Sequence, residues 1–130
     1  MTKIEAYIEL WGETFTPSKC SNSSKVVFYK YNNPGDIAKT GKHKNQEYPY
    51  GAATIHNSDS SLSEVEKILW VFEQYKQVKD TTEFSKIEMR RVHFLLLYNQ
   101  QCNVEIPIEI LSKLAELDIE LTISAEENND

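Results

Sequence analysis

The chain has 130 residues, of which 40% are hydrophobic and 26% charged, with four glycines and four prolines; that suffices for one core, is too little for two, and excludes a disordered chain. Fourteen Lys and Arg stand against 20 Asp and Glu, a formal net charge of −6. Such a balance repels phosphate backbones and acidic membrane surfaces, so neither nucleic acid nor a membrane is expected as partner, and a basic protein suits better.

Met1, Thr2 and Lys3 lead directly into a strand pattern, and no apolar run approaches a membrane span. A cytoplasmic chain without signal peptide or transmembrane helix is expected. From Lys3 to Trp11 the residues alternate: Ile4, Ala6, Ile8 and Leu10 fall on one side, Glu5, Tyr7, Glu9 and Trp11 on the other. The first set is assigned to the core. Gly12 ends the strand, and Thr16 followed by Pro17 predicts a short helical turn through Ser21.

Lys25 to Tyr31 is rich in β-branched and aromatic residues and reads as a second strand, closed by a turn over Asn32, Asn33, Pro34, Gly35 and Asp36. A polar, basic loop with Lys39, Lys42, His43 and Lys44 follows, and extended chain resumes from Tyr48 to His56. Ser61 with Glu64 predicts a capping box opening a helix, whose apolar stripe is Leu62, Val65, Ile68, Leu69, Phe72, Tyr75 and Val78.

Lys79 to Lys86 is a polar connection anchored by Phe84. Val92 to Tyr98 is the longest nearly unbroken apolar run, too short for a typical helix, and predicts a strand buried on both faces around which the other elements pack. Pro107 opens another helix, with Ile110, Leu111, Leu114 and Leu117 as its apolar face. Ile119, Leu121 and Ile123 alternate with polar residues as a last strand. The expected organisation is one α+β domain over residues 1–124 and a flexible acidic tail over 125–130. Its mostly antiparallel or mixed sheet carries two main amphipathic helices on one face.

Gly12, Phe15 and Pro17 after the opening strand, the Pro34-Gly35-Asp36 turn before a basic loop, and the stretch from Ile110 to Leu121 resemble a family of small bacterial proteins, domain of unknown function four-two-seven-nine. Members usually carry a Leu-Gly segment after the first helix and a Trp opening the middle strand. Here Cys20 to Ser24 lacks the first, and Tyr48 and Tyr50 replace the second. The resemblance implies an α+β fold without implying a reaction, and small acidic proteins of this build often serve as immunity proteins beside toxin genes.

No nucleophile elbow, phosphate-cradling glycine loop or zinc-binding spacing occurs, so no catalytic residue, metal or cofactor is assigned. Cys20 and Cys102 are expected as free thiols, and His93 as a core histidine bonded through a ring nitrogen. The expected function is non-enzymatic binding. Glu5, Tyr7, Glu9 and Trp11 form one acidic and aromatic stripe suited to a basic protein surface such as a toxin domain. An alternative small-ligand or nucleotide site uses Asp36, Lys42, His43, Tyr48 and Tyr50 in the loop 36–50. A homodimer over the same sheet face stays open.

Overall fold

The computed structural model describes residues 2–128. Nine elements follow in order: β1 (Lys3–Gly12), α1 (Pro17–Ser23), β2 (Lys30–Asn32), β3 (Gly51–Ile55), α2 (Glu64–Lys79), a 3₁₀ turn (Thr82–Lys86), β4 (Met89–Tyr98), α3 (Ile108–Glu116) and β5 (Glu120–Glu127). They make an α+β fold whose five strands run in the order β2-β3-β1-β4-β5. All neighbouring strands are antiparallel except β4 and β5, which α3 joins in parallel.

The alternation of β1 sorts its side chains as expected: Ala6, Ile8 and Leu10 are buried, and Tyr7, Glu9 and Trp11 are half-buried on the opposite face. Ala53 and Ile55 of β3 and Val92, Phe94 and Leu96 of β4 continue the apolar face, which Ile68, Val71, Phe72 and Tyr75 of α2 and Ile110 of α3 cover. Burial of this continuous apolar surface is the main stabilising term. At one end of β1, Gly12 and Gly51 sit opposite each other. A Cβ on Gly51 would lie 1.7 Å from the Phe15 carbonyl oxygen, and one on Gly12 2.2 Å from that of Lys86, so both must lack side chains.

Several expectations are corrected. β4 is buried on one face only: Val92, Phe94 and Leu96 are in the core, whereas Arg91, His93, Leu95 and Leu97 are half-buried on the face without helices. The strand read over Lys25 to Tyr31 shrinks to three residues because the Val27 N–H bonds the Gln74 side chain of α2 at 2.8 Å, tying that segment to the helix layer. The capping box is Ser63 with Glu66, each accepting the other's backbone N–H at 3.1 Å. Ser61 is held instead by the Asp59 carboxylate, which accepts both its N–H and its hydroxyl. The last strand runs to Glu127, paired with Tyr98, so 125–127 are not a free tail. Backbone pairing along the long β4 needs no apolar side chain, which is why the polar sequence concealed it. Of the rest of that tail, Asn128 donates its N–H to the Tyr98 carbonyl at 2.6 Å, and 129–130 lie outside the described residues.

The polar connection is the 3₁₀ turn, and its Glu83 is 3% exposed. The Glu83 carboxylate accepts the Thr16 N–H at 2.8 Å and the Lys86 ammonium at 3.0 Å, fastening the entry of α1 to the far end of α2. Among the described residues, no helix is long and apolar enough to cross a membrane.

Candidate functional site

Among the described residues no helix lies over the second face of the sheet, and its side chains come from alternate positions of β1 and β4 with contributions from the loops beside β3. The antiparallel register places Tyr7 opposite His93 and Glu9 opposite Arg91. Arg91 donates from Nε and Nη2 to one oxygen of Glu9, at 3.1 and 2.7 Å. Glu9 therefore meets its cation within the chain, and the negative charge that the stripe was expected to offer a partner is reduced to that of Glu5. The Tyr7 hydroxyl donates to Glu5 at 2.7 Å. Burial, then this bond and the charge of Glu5, push the Tyr7 phenol up to about 12.

Aromatic rings extend the stripe across the sheet. Tyr7 stacks on His56 with ring centres 4.0 Å apart, and Tyr29 meets the same imidazole edge-on at 5.2 Å. His56 is fixed by its Nδ1–H, which donates to the Ala6 carbonyl at 3.0 Å. At the other end Trp11 lies 5.7 Å from Tyr50, Tyr50 5.7 Å from Tyr48, and His43 within about 6 Å of both tyrosines. Offset and edge-on rings at these separations reinforce one another.

The two regions read separately from sequence thus form one surface, joined at the contact between Trp11 and Tyr50. A trough of about 500 Å³ lies over Tyr7, Glu9, Trp11, Tyr29, Met89 and His93. A second of about 750 Å³ is lined by Asp36, Lys39, Thr40, Tyr48 and Tyr50 among others. Both share Lys30, Tyr50, Ala52, Ala53 and Thr54, so they are one furrow across β3.

Not every predicted loop residue contributes equally. Asp36 lines the furrow, but its carboxylate also accepts the Asn33 N–H at 2.7 Å and so holds the turn. Lys42 is exposed at the loop tip beside Gly41, whose φ of 82° suits a residue without a side chain. Ala38 and Gln46 are bridged by a backbone bond of 2.9 Å, and Ile37 pairs with Glu47, so the loop is a short irregular hairpin.

Arg91, His56, Tyr29 and His93 belong to the surface and were not assigned to it from sequence. His93 was expected in the core; it is half-buried on the open face, with Nδ1 2.7 Å from the Thr122 hydroxyl and Nε2 2.9 Å from that of Ser124. The signal for Arg91 and His93 was present in the alternation Arg91, Val92, His93, Phe94, but Leu95 and Leu97 masked it. Tyr29 meets His56 through the pairing of β2 with β3, and Tyr7 meets it through that of β1 with β3, for neither of which local sequence gives a sign.

Stacked rings, one internally satisfied ion pair and a hydroxyl-bound imidazole offer contact area and orientation rather than an activated nucleophile. Cys20 is buried with its thiol 3.5 Å from the Thr81 hydroxyl, on the core side and remote in the fold from these histidines. Among the described residues no three His, Cys, Asp or Glu side chains group as a metal site. No protein-family model, curated protein or solved structure matches this chain.

Proposed function

We propose that this chain is a non-enzymatic, cytoplasmic binding protein, an immunity protein that neutralises a cognate bacterial toxin as its resemblance to the family four-two-seven-nine implies. The observation that carries the binding reading is the open sheet face, on which Tyr7, Trp11, Tyr29, Tyr48 and Tyr50 line a continuous furrow while every helix packs on the other side. Trp and Tyr are the side chains that anchor protein interfaces, since they bring large contact area with few torsions to freeze. Their rings are already braced by His56 and His43, which lowers the ordering cost of association.

The test is to express the protein encoded beside this chain's gene, alone and together with it. The immunity reading expects growth arrest by the first, relief by the second, and a one-to-one complex that survives size exclusion. Trp11→Ala with Tyr50→Ala should abolish both relief and complex. Relief undiminished in that variant places the interface elsewhere, and no arrest in any combination removes the toxin reading.

A small planar ligand is the second reading, favoured by the 750 Å³ trough beside the cluster of His43, Tyr48 and Tyr50. It expects a metabolite screen to raise the melting temperature, and Tyr48→Ala to erase that rise.

A further inference from the structure

The acidity of the chain is not spread over it. Residues 104–130 hold eight of the 20 acidic side chains and one of the 14 basic ones, a formal charge of −7, whereas the first 103 residues balance to +1. This acidic fifth of the chain contains α3 and β5, and β5 ends the sheet.

β5 is an edge strand of eight residues, seven of them exposed. Edge strands are normally blunted by shortness, lysine, proline or a bulge. The opposite edge follows that rule: β2 has three residues, begins with Lys30 and is closed by Pro34 two positions after its end. β5 is long, without lysine, proline or bulge, and in unbroken parallel register with β4; its only guards are the carboxylates of Glu120, Glu126 and Glu127, which repel another acidic chain but not a basic one. Half of its backbone N–H and C=O groups point away from β4 along a free edge.

Its side chains divide by face. Leu121 and Ile123 pair with Val92 and Phe94 and so lie on the helix side, yet remain 37% and 53% exposed. Thr122 and Ser124 lie on the other side, bonded to His93, and Glu120 and Glu126 share that side by alternation. A chain added here meets an apolar row on one face and carboxylates on the other.

We propose that β5 takes up an extended segment of a partner protein as a sixth strand, and that this segment is an amphipathic basic strand. Its apolar side chains would rest on Leu121 and Ile123 while its Lys or Arg side chains meet Glu120 and Glu126. Main-chain bonds supply affinity in such strand addition, and alternate side chains supply selection. A second copy of this chain is the poorer occupant. Antiparallel self-pairing centred on Ile123 sets Glu120 of each copy against Glu126 of the other and brings two units of charge −7 together. The site adjoins the aromatic furrow where His93 bonds Thr122 and Ser124, but its main-chain edge is distinct, so the proposal does not rest on the furrow binding a partner.

The test uses a fluorescent nine-residue peptide alternating lysine and valine, titrated with the full chain at low salt and followed by anisotropy. Binding is expected, with new hydrogen-exchange protection confined to amides of β5. The same peptide N-methylated on alternate residues along its pairing edge keeps its charge and apolar face but loses its main-chain donors, and should bind at least tenfold more weakly. Ile123→Lys, at an exposed position that leaves the core intact, should have a similar effect. Equal binding by the methylated peptide, protection appearing elsewhere, or no binding by either peptide overturns the proposal. So does a concentration-dependent dimer of the free chain that buries β5.

Discussion

Ile8, Val92 and Phe94 are fully buried on one side of the sheet, while Tyr7, Glu9, Arg91 and His93, their immediate neighbours in sequence, are half-exposed on the other. The covered side is uniform in chemistry and is held by contact with α2 and α3. The open side is mixed, and its order comes from pairwise arrangements: Arg91 on Glu9, Tyr7 on His56 and Glu5, His93 on two hydroxyls. The difference teaches that β1 and β4 set core side chains and open-face side chains at alternating positions, so each set can be altered with little change in the other. Single substitutions either side of one Cα should therefore separate by several-fold in their effect on folding.

The largest break is expected from Phe94→Ala, which empties a fully buried ring position between the sheet and its helices. It should lower unfolding free energy by about 3–5 kcal/mol, measured by denaturant titration, with no direct loss of an open-face contact. Glu83→Ala comes next. It strands the half-buried Thr16 N–H and leaves Lys86 without its partner, for a loss of about 1–3 kcal/mol. Glu83→Gln retains an acceptor for Thr16 and should recover part of that loss. Equal losses for the two variants would show that charge, not the bond to Thr16, fixes the turn.

The same division explains what could be read from the sequence. β1 was legible because its alternation is strict, and α2 because its stripe is long, although Asp59 captured Ser61 and moved the cap to Ser63. β4 was misread on one face because Leu95 and Leu97 are apolar residues on the open side, so the run looked buried throughout. The extent of β5 was illegible because edge pairing places no demand on Ala125, Glu126 or Glu127 beyond their backbones. Half of the candidate surface was recognised, Tyr7 and Trp11 by alternation and Tyr48 and Tyr50 by composition. Their union through Trp11 and Tyr50, and the neutralisation of Glu9 by Arg91, depend on strand pairing between segments far apart in the chain, which no local pattern carries.

On the open face, effects on folding should be small and effects on binding large. Arg91→Ala removes a partly exposed ion pair and should change stability by no more than about 1 kcal/mol. Trp11→Ala should likewise leave the unfolding midpoint nearly unchanged, yet weaken a partner seated in the furrow by about 2 kcal/mol or more, read by calorimetry. A Trp11→Ala variant that unfolds as readily as Phe94→Ala would erase the distinction between the two faces.

The finest test concerns the proton on Tyr7. Its phenol is raised from 10.0 to about 12 by burial, aided by the bond to Glu5 and the charges of Glu5 and Tyr29. The folded state thus favours the neutral phenol more than the unfolded chain does. Its contribution to stability is fully present below pH 10 and is lost as pH rises toward 12. Ultraviolet titration should show one tyrosine ionising late in addition to the buried Tyr75, whose phenol is also pushed up by burial. Tyr7→Phe should delete that late step and flatten the alkaline fall in melting temperature. Glu5→Gln should keep the step but shift it to lower pH, because the ring remains half-buried while the neighbouring charge is gone. If Glu5→Gln left the titration in place, burial alone would account for the raised phenol, and the bond from Tyr7 to Glu5 would contribute nothing to it.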